Sequence, residues 1–149
     1  DEEGVLEFHY SDFGLCNGGF ATRTDFGIGV TGHQIPIDVY AINIEKFLEN
    51  KEIGEISLIK IDAEGHDKDI LKTLTSIIKT HKPTLITEIY DGLSSNEVED
   101  LLSTIHSLGY RAYDENINKL NLDNLGKEIK YVNDIKPGSG HNLICTFKK

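Results

Sequence analysis

The chain has 149 residues, the length of one ordinary domain and enough to bury a hydrophobic core. Its formal net charge of −10, from 25 acidic and 15 basic side chains, opposes binding to a nucleic-acid backbone. No apolar run approaches the roughly 18 residues that span a bilayer, and Cys16 and Cys145 form no disulfide framework. We therefore expect a cytoplasmic protein without nucleic-acid or membrane partners.

The first third of the sequence predicts two strands separated by a long glycine-rich loop. Leu6, Phe8 and Tyr10 alternate with polar residues, and this period of two favours a half-exposed strand. The stretch "GLCNGGFATRTDFGIGVTG" has six glycines and little periodicity, so we interpret it as a loop. Alternation resumes in "IPIDVYAIN", where Pro36 indicates an edge strand or the start of a strand. Asn43 is suited to cap a short helix in "IEKFLEN".

The central third alternates strands and helices. "SLIKID" and "TLITEIY" are short, β-branched and apolar, as expected for strands that are buried on both faces. Between them, a helical repeat of apolar residues runs from Asp67 and should stop before Pro83. Ser94 and Glu97 form a capping box for a second helix, which Gly109 should end.

The last third predicts three more strands and completes the fold class. "YRAYD" is a short strand, and "EIKYV" with "NLICTFKK" predicts an antiparallel hairpin around "KPGSG", or at least two neighbouring strands. The order strand, helix, strand, helix, strand implies parallel strands joined by crossovers. We predict an α/β fold with central parallel strands, helices, and antiparallel strands at both ends of the chain.

Carboxylates cluster where two of the predicted strands end. Asp62 and Glu64 follow the first buried strand, whereas Glu88 and Asp91 lie at the end of the next one. Ligands bind beyond the carboxyl ends of strands in open α/β sheets, and parallel neighbours should bring these groups to one rim. Such a rim suits a general base, a metal site, or an anchor for hydroxyl and amine groups.

Structural roles compete with these functional ones. Acidic residues are favoured at helix N-termini, so we interpret Asp67 as a helix cap, and Glu64 has the same alternative. Glu88 interrupts an apolar strand, and because a buried unpaired carboxylate is costly it needs a partner, for which Lys60 is the candidate. Gly65 should permit a tight turn between strand and helix.

Three further polar residues are candidates for substrate binding. His66 is adjacent to Asp67, but neighbouring residues rarely face each other, so an exposed histidine is the alternative to a catalytic pair. His141 and Asn142 open the last strand after a glycine-rich turn and can point at the same rim, in a structural or a substrate-binding role. A metal site formed by Asp62, Glu88 and a histidine lacks supporting ligand spacing, so we predict no metal.

The run "LIKIDAEGHDKDILKTL" resembles the hallmark segment of the FkbM-type methyltransferase family, a "KIDVEGAE"-like run followed by an amphipathic helix. Asp67 takes the place of the usual final glutamate, and His66 takes that of a small residue. The segments "DEEGVLEFHY", "VYAINIEKFLE", "KPTLITEIY" and "HNLICTF" resemble other parts of the family in the expected order, so the resemblance covers nearly the whole chain. Five hallmark residues match as they stand: Lys60, Ile61, Asp62, Glu64 and Gly65.

This resemblance implies a methyltransferase that depends on S-adenosylmethionine and most often modifies a hydroxyl of a sugar or another small-molecule acceptor. It implies a Rossmann-like sheet with Asp62 as the catalytic base or acceptor anchor, supported by Glu64 and Glu88. The family's glycine-rich cofactor turn and the acidic residue that ends its second strand are not recognisable in this sequence. Asp1 is the candidate for that acidic, cofactor-binding residue.

We therefore expect residues 1–149 to form a single partial methyltransferase domain that lacks the N-terminal cofactor-binding strands and is not competent alone. An exposed sheet edge would invite pairing with another copy, which makes a homo-oligomer a further expectation. Two rival functions stay open. One is a non-catalytic remnant or binding module, and the other is a divalent-metal hydrolase that uses Asp62, Glu64 and Glu88.

Overall fold

The structure is a computed structural model, and it describes residues 3–11, 18–20, 34–114, 125–135 and 141–148. The chain divides into two compact units, Asp1–Phe47 and Leu48–Lys149, which are described separately below. Asp1 and Cys16 lie outside the described residues, as does most of the glycine-rich stretch. The expectation of a single partial domain stays a prediction.

The smaller unit contains a three-stranded antiparallel sheet. Its strands are β1 (Gly4–Ser11), β2 (Gly18–Phe20) and β3 (Gln34–Ala41), in the order β2-β1-β3. The sequence predicts β1 and β3, but the interpretation of Gly18–Phe20 as loop is wrong, because these residues pair with β1. Pro36 lies in β3, which pairs with β1, and β3 forms an edge of this sheet, as proline requires.

A short helix, α1 (Ile44–Leu48), follows β3. The side-chain oxygen of Asn43 accepts a hydrogen bond of 3.1 Å from the backbone amide of Lys46. This bond satisfies one of the amides that a helix leaves unpaired in its first turn, so the predicted cap is confirmed.

The larger unit contains a mixed five-stranded sheet in the order β4-β5-β8-β6-β7. β4 and β5 are parallel, whereas β8 pairs antiparallel with both β5 and β6, and β6 pairs antiparallel with β7. The predicted α/β class is therefore confirmed. The strands are β4 (Leu58–Lys60), β5 (Thr84–Ile89), β6 (Tyr110–Asp114), β7 (Glu128–Ile129) and β8 (His141–Phe147).

Two strand predictions need correction. The expected hairpin between β7 and β8 is wrong, because β6 lies between them and pairs with both. β4 is not buried on both faces: in the described structure it lies at the edge of the sheet, and Leu58 is 56% exposed. β5 buries one face, since Leu85, Thr87 and Ile89 are buried while the residues that alternate with them are half-buried.

Three helices and a short 3-10 helix complete this unit. The predicted helix after Asp67 is divided at Leu74 into α2 (Asp67–Thr73) and α3 (Thr75–His81). The next helix, α4 (Ser95–Ser107), begins with the predicted capping box between Ser94 and Glu97. Gly109 follows α4 with a φ of 87°, the left-handed conformation that commonly ends a helix. The 3-10 helix covers Val132–Asp134.

The hydrophobic core of the larger unit joins the helices to one face of the sheet. Burial of these side chains is the main favourable term in folding, at roughly 25 cal/mol per Å² of apolar surface. No helix among the described residues is long and apolar enough to cross a membrane. Fully or almost fully buried core residues include Leu71, Ile78, Leu85, Leu101, Ile105, Tyr110, Ala112, Leu143 and Cys145.

Candidate functional site

Five carboxylates lie at or beyond the carboxyl ends of β4 and β5. The two strands are parallel and paired in register from Leu58 with Thr84 to Lys60 with Ile86, so both end at the same edge. Asp62, Glu64, Asp67 and Asp91 lie close enough to Glu88 for their charges to raise its pKa, as expected for groups at one edge of the sheet. We call this group the acidic rim, and it consists of Asp62, Glu64, Asp67, Glu88 and Asp91.

A strained turn carries the first part of the acidic rim. Glu64 has a φ of 49° and Gly65 a φ of 93°, so two consecutive residues are left-handed. The turn is closed by a backbone hydrogen bond of 3.1 Å from His66 to Ala63, and α2 begins directly after it. Gly65 therefore permits the tight turn, as predicted. Glu64 adopts a conformation that costs a non-glycine residue about 1–2 kcal/mol, and such strain is typical of functional sites.

Asp67 is buried, and its hydrogen bonds link the ends of β4 and β5. Its side chain is 1% exposed, and it accepts hydrogen bonds from the backbone amide of Ala63 at 3.1 Å and from that of Glu88 at 3.0 Å. It also accepts a bond of 2.8 Å from the hydroxyl of Thr87, which is itself buried. The interpretation of Asp67 as a helix cap is wrong, since its carboxylate binds these groups of the preceding turn and of β5.

Glu88 is the most perturbed carboxylate of the acidic rim. Burial raises its pKa, and the negative charges of Glu64, Asp62 and Asp67 raise it further, to about 7. Its Oε2 atom is buried and has no hydrogen-bond partner among the described residues. A carboxyl group with this pKa changes its protonation state near neutral pH, and its buried Oε2 atom is left without a hydrogen bond from the described residues.

The prediction of an ion pair between Lys60 and Glu88 is wrong. The Lys60 ammonium instead lies 2.8 Å from Oδ2 of Asp62. Residues two apart in an extended segment point to the same side, so the sequence neighbour captures the lysine. Asp62 is 48% exposed and open to solvent, and it is not tied up inside the fold.

The pKa of Glu64 is also raised, as that of Glu88 is. Burial raises its pKa, and the charges of Asp62 and Asp67 add to this effect. A cation near Glu64, Asp62 and Asp67 would relieve the mutual repulsion of these carboxylates, so this part of the acidic rim favours a positive charge. Among the described residues, however, no group of three or more His, Cys, Asp or Glu side chains has the geometry to hold a metal ion.

The structure places the three candidate substrate-binding residues in different surroundings. Asn142 lies opposite Glu88 in the register between β5 and β8, so the two side chains share a face of the sheet. His141 pairs with Ile89 on the other face and lies 3.4 Å from a carboxylate oxygen of Asp114. His66 is half-buried rather than exposed, and its Nδ1 atom lies 3.9 Å from Asp69.

Sequence reasoning missed the bond between Asp67 and Thr87. A weak signal for it exists, because Thr87 is a polar residue at the inward-facing position of β5 and therefore needs a buried partner. The partner is 20 residues away along the chain, and the sequence does not specify which side chain reaches it.

Comparison with known proteins identifies the family of the chain. A family model, the methyltransferase FkbM domain, matches residues 5–112, which is well over half of the chain. The chain belongs to the FkbM methyltransferase family. It is also 29% identical over 65 residues to the hexuronic acid methyltransferase AglP of Haloferax volcanii, in a match that covers 44% of this chain. The matched segment spans 27% of the length of that relative. No solved structure matches the chain significantly.

The family match includes every residue of the acidic rim, from Asp62 to Asp91, but ends before His141 and Asn142. The acidic rim and Asn142 are therefore supported by different observations. The rim lies inside the part of the chain that is shared with the family, whereas the contribution of Asn142 rests on the strand register alone.

Proposed function

We propose that this protein is an S-adenosylmethionine-dependent methyltransferase that methylates a hydroxyl of a sugar or another small metabolite. Membership of the FkbM family supports methyl transfer, and the similarity to a hexuronic acid methyltransferase supports the sugar as acceptor class. The observation that carries the proposal is the half-buried Glu88, with a pKa of about 7 and an oxygen without a partner among the described residues.

Glu88 is suited to act as the general base. Methylation of a hydroxyl oxygen releases a proton, and a base works best when its pKa lies near the pH at which the enzyme operates. The carboxylate of Glu88 meets this condition, whereas Asp62 is engaged with Lys60. The proposal therefore assigns proton removal to Glu88 and assigns to Asp62 the anchoring of the acceptor, the second of the two roles that the resemblance implies for it.

The acidic rim also fits the charge of the methyl donor. When bound, S-adenosylmethionine supplies a methyl group on a positively charged sulfur. Glu64 would hold the charged part of the cofactor, because burial and the charges of Asp62 and Asp67 disfavour a further negative charge there and a cation would relieve this repulsion. The residues of this chain supply alignment, worth up to roughly 7–11 kcal/mol of the barrier, and the base, worth about 10²–10⁴ in rate.

The proposal is tested by transfer of labelled methyl groups from S-adenosylmethionine to glucuronic acid glycosides. The intact protein, with the N-terminal cofactor-binding strands that residues 1–149 are expected to lack, should incorporate label. In that protein Glu88→Gln should lower kcat/KM by about 10²–10⁴-fold, since glutamine cannot accept the proton. The rise of kcat/KM with pH near 7 should disappear in this variant. Glu55→Gln is the matched control, because it removes the same charge from an exposed position of the same unit.

A binding measurement beside this assay separates the enzyme from the non-catalytic alternative. Calorimetric titration of the intact protein with S-adenosylhomocysteine should show binding that survives in Glu88→Gln. Binding of the cofactor product without label transfer to any sugar or small hydroxyl compound would favour a binding module. Equal turnover of Glu88→Gln and the Glu55→Gln control would remove Glu88 from the mechanism.

A further inference from the structure

A cavity lies on a part of the larger unit that is separate from the acidic rim. It has a volume of about 540 Å³ and lies between α4 and the segment that follows β7. This volume is within the range of small-molecule sites, roughly 300–1,000 Å³. One wall is a stripe of α4 from Ser95 to His106, which at about 1.5 Å per residue is a groove of about 16 Å. We call this cavity the α4 groove.

The lining of the α4 groove combines an apolar floor with neutral polar groups. Leu102 is almost fully buried and Val132 is half-buried, so the floor offers apolar contact. Ser95, Ser103 and Asn133 add hydroxyl and amide groups that both donate and accept hydrogen bonds.

Charge in the α4 groove is balanced, unlike that of the chain as a whole. Glu99 and Lys130 are the charged residues of the described lining, one of each sign. Burial lowers the pKa of His106, and the charge of Lys148 lowers it further, so this imidazole is neutral at pH 7 and can both donate and accept. A ligand that fits this lining is polar and uncharged, in contrast to the cation that suits the acidic rim.

An exposed aromatic ring stands at the wall opposite α4. Tyr131 is 71% exposed, although its backbone is held firmly: Oδ2 of Asp134 accepts hydrogen bonds of 3.1 Å from the amides of both Lys130 and Tyr131. Oδ1 of Asp134 binds the ammonium of Lys127 at 2.7 Å. A ring that is open to solvent on a tied backbone segment is prepared for a ligand, since little conformational freedom is lost on binding.

We propose that the α4 groove binds a neutral saccharide. The face of a pyranose ring carries C–H groups that pack on an aromatic ring, and its hydroxyls form hydrogen bonds of both kinds. Tyr131 supplies the ring, Leu102 and Val132 supply apolar contact, and the serine, asparagine and histidine side chains supply the hydrogen-bonding partners. This site is distinct from the acidic rim and requires neither methyl transfer nor its cofactor.

The test is an NMR titration of the intact ¹⁵N-labelled protein with maltose, a neutral disaccharide, in the absence of any methyl donor. Maltose at millimolar concentration should shift the amide signals of α4 and of residues 130–133. Tyr131→Ala should weaken this binding about tenfold, the loss expected for one aromatic stacking contact. Tyr40→Ala is the matched control, because Tyr40 is 69% exposed but lies in the smaller unit.

A second variant protects the test against indirect effects. Ser103→Leu places a larger side chain at an exposed position of the groove wall, so it should abolish the maltose-induced shifts while leaving the rest of the spectrum unchanged. The proposal is overturned if maltose leaves the groove signals unmoved, or if the shifts survive in both Tyr131→Ala and Ser103→Leu. Shifts caused by inorganic phosphate but not by maltose would also overturn it, since they would indicate a site for anions.

Discussion

The surroundings of two carboxylates in the larger unit, Glu88 and Asp134, shift their pKa values in opposite directions. The pKa of Glu88 is raised to about 7 by burial and by the like charges of the acidic rim. The pKa of Asp134 is lowered to about 2, first by the hydrogen bond from Lys127 and then by the amides of Lys130 and Tyr131. The surroundings of Asp134 stabilise its ionised carboxylate, whereas those of Glu88 disfavour ionisation.

The opposite pKa shifts indicate that the acidic rim and the segment around Asp134 have different roles. A site arranged for stability supplies donors to a carboxylate, as the segment around Asp134 does. The acidic rim crowds negative charges together and holds Glu64 in a left-handed conformation, both of which oppose folding. Unfavourable features of this kind concentrate at functional sites, because a bound ligand relieves them. The acidic rim is therefore the place where a ligand is expected, and the Asp134 segment serves to position Tyr131.

The largest expected effect concerns Asp67, the rim carboxylate whose donors include two backbone amides and a buried hydroxyl. Asp67→Ala should lower the free energy of unfolding by about 3 kcal/mol or more, because it leaves the buried hydroxyl of Thr87 and two backbone amides without their acceptor. Urea denaturation measures the loss. Asp69→Ala, at a carboxylate 62% exposed in the same helix, should stay within about 0.5 kcal/mol of wild type. Equal losses in both variants would contradict the structural role of Asp67.

The next effect tests the backbone strain of the acidic rim. Gly65→Ala should cost about 1–2 kcal/mol of stability, because alanine is disfavoured at a φ of 93°. Gly54→Ala is the control, since a Cβ there meets no atom within 4 Å and no left-handed φ is required. Thermal unfolding of the two variants should separate them clearly. A Gly65→Ala protein as stable as Gly54→Ala would show that the turn is not strained.

A smaller effect, visible through pH, tests the electrostatics of Glu88. Its folded pKa of about 7 exceeds the unfolded value of 4.5, so between these values the unfolded state loses a proton that the folded state keeps. Stability therefore falls as pH rises through this window. Glu88→Gln cannot ionise, so its Tm relative to wild type should rise between pH 4.5 and pH 7 and level off above. A Tm difference that stays constant from pH 4 to pH 8 would contradict the raised pKa of Glu88.

The features that the sequence predicts correctly are local. The capping box of Ser94 and Glu97, the cap at Asn43 and the left-handed glycines depend on residues within a few positions of one another. The gathering of carboxylates was also predictable, because it follows from the parallel pairing of two strands on either side of a helical segment.

The features that the sequence does not predict depend on distant partners. Asp67 binds Thr87 across 20 residues, and its position at the start of a helix suggests a cap instead. Lys60 has two acidic candidates, and the nearer one in sequence is the one it pairs with. β8 enters the sheet between β5 and β6, which no local pattern indicates. The division between α2 and α3 at Leu74 is marked by neither proline nor glycine.

The smallest effect concerns Asp134 and leaves global stability nearly unchanged. Asp134→Ala removes the acceptor of the Lys130 and Tyr131 amides, so hydrogen exchange at these two amides should become faster while Tm stays close to that of wild type. Asp100→Ala is the control, because Asp100 pairs with the side chains of Lys68 and Lys72 and should leave both amides protected.

In wild type the same protection should persist well into the acid range. The folded pKa of Asp134 is below its usual 3.8, so its stabilising contribution is complete above that value and is lost as pH falls through about 2. Because this carboxylate fixes the backbone that carries Tyr131, Asp134→Ala should also weaken maltose binding, although Asp134 does not line the α4 groove. Unchanged exchange at Lys130 and Tyr131 in Asp134→Ala would mean that the segment is held by other contacts. The contrast with the acidic rim would then rest on Glu88 alone.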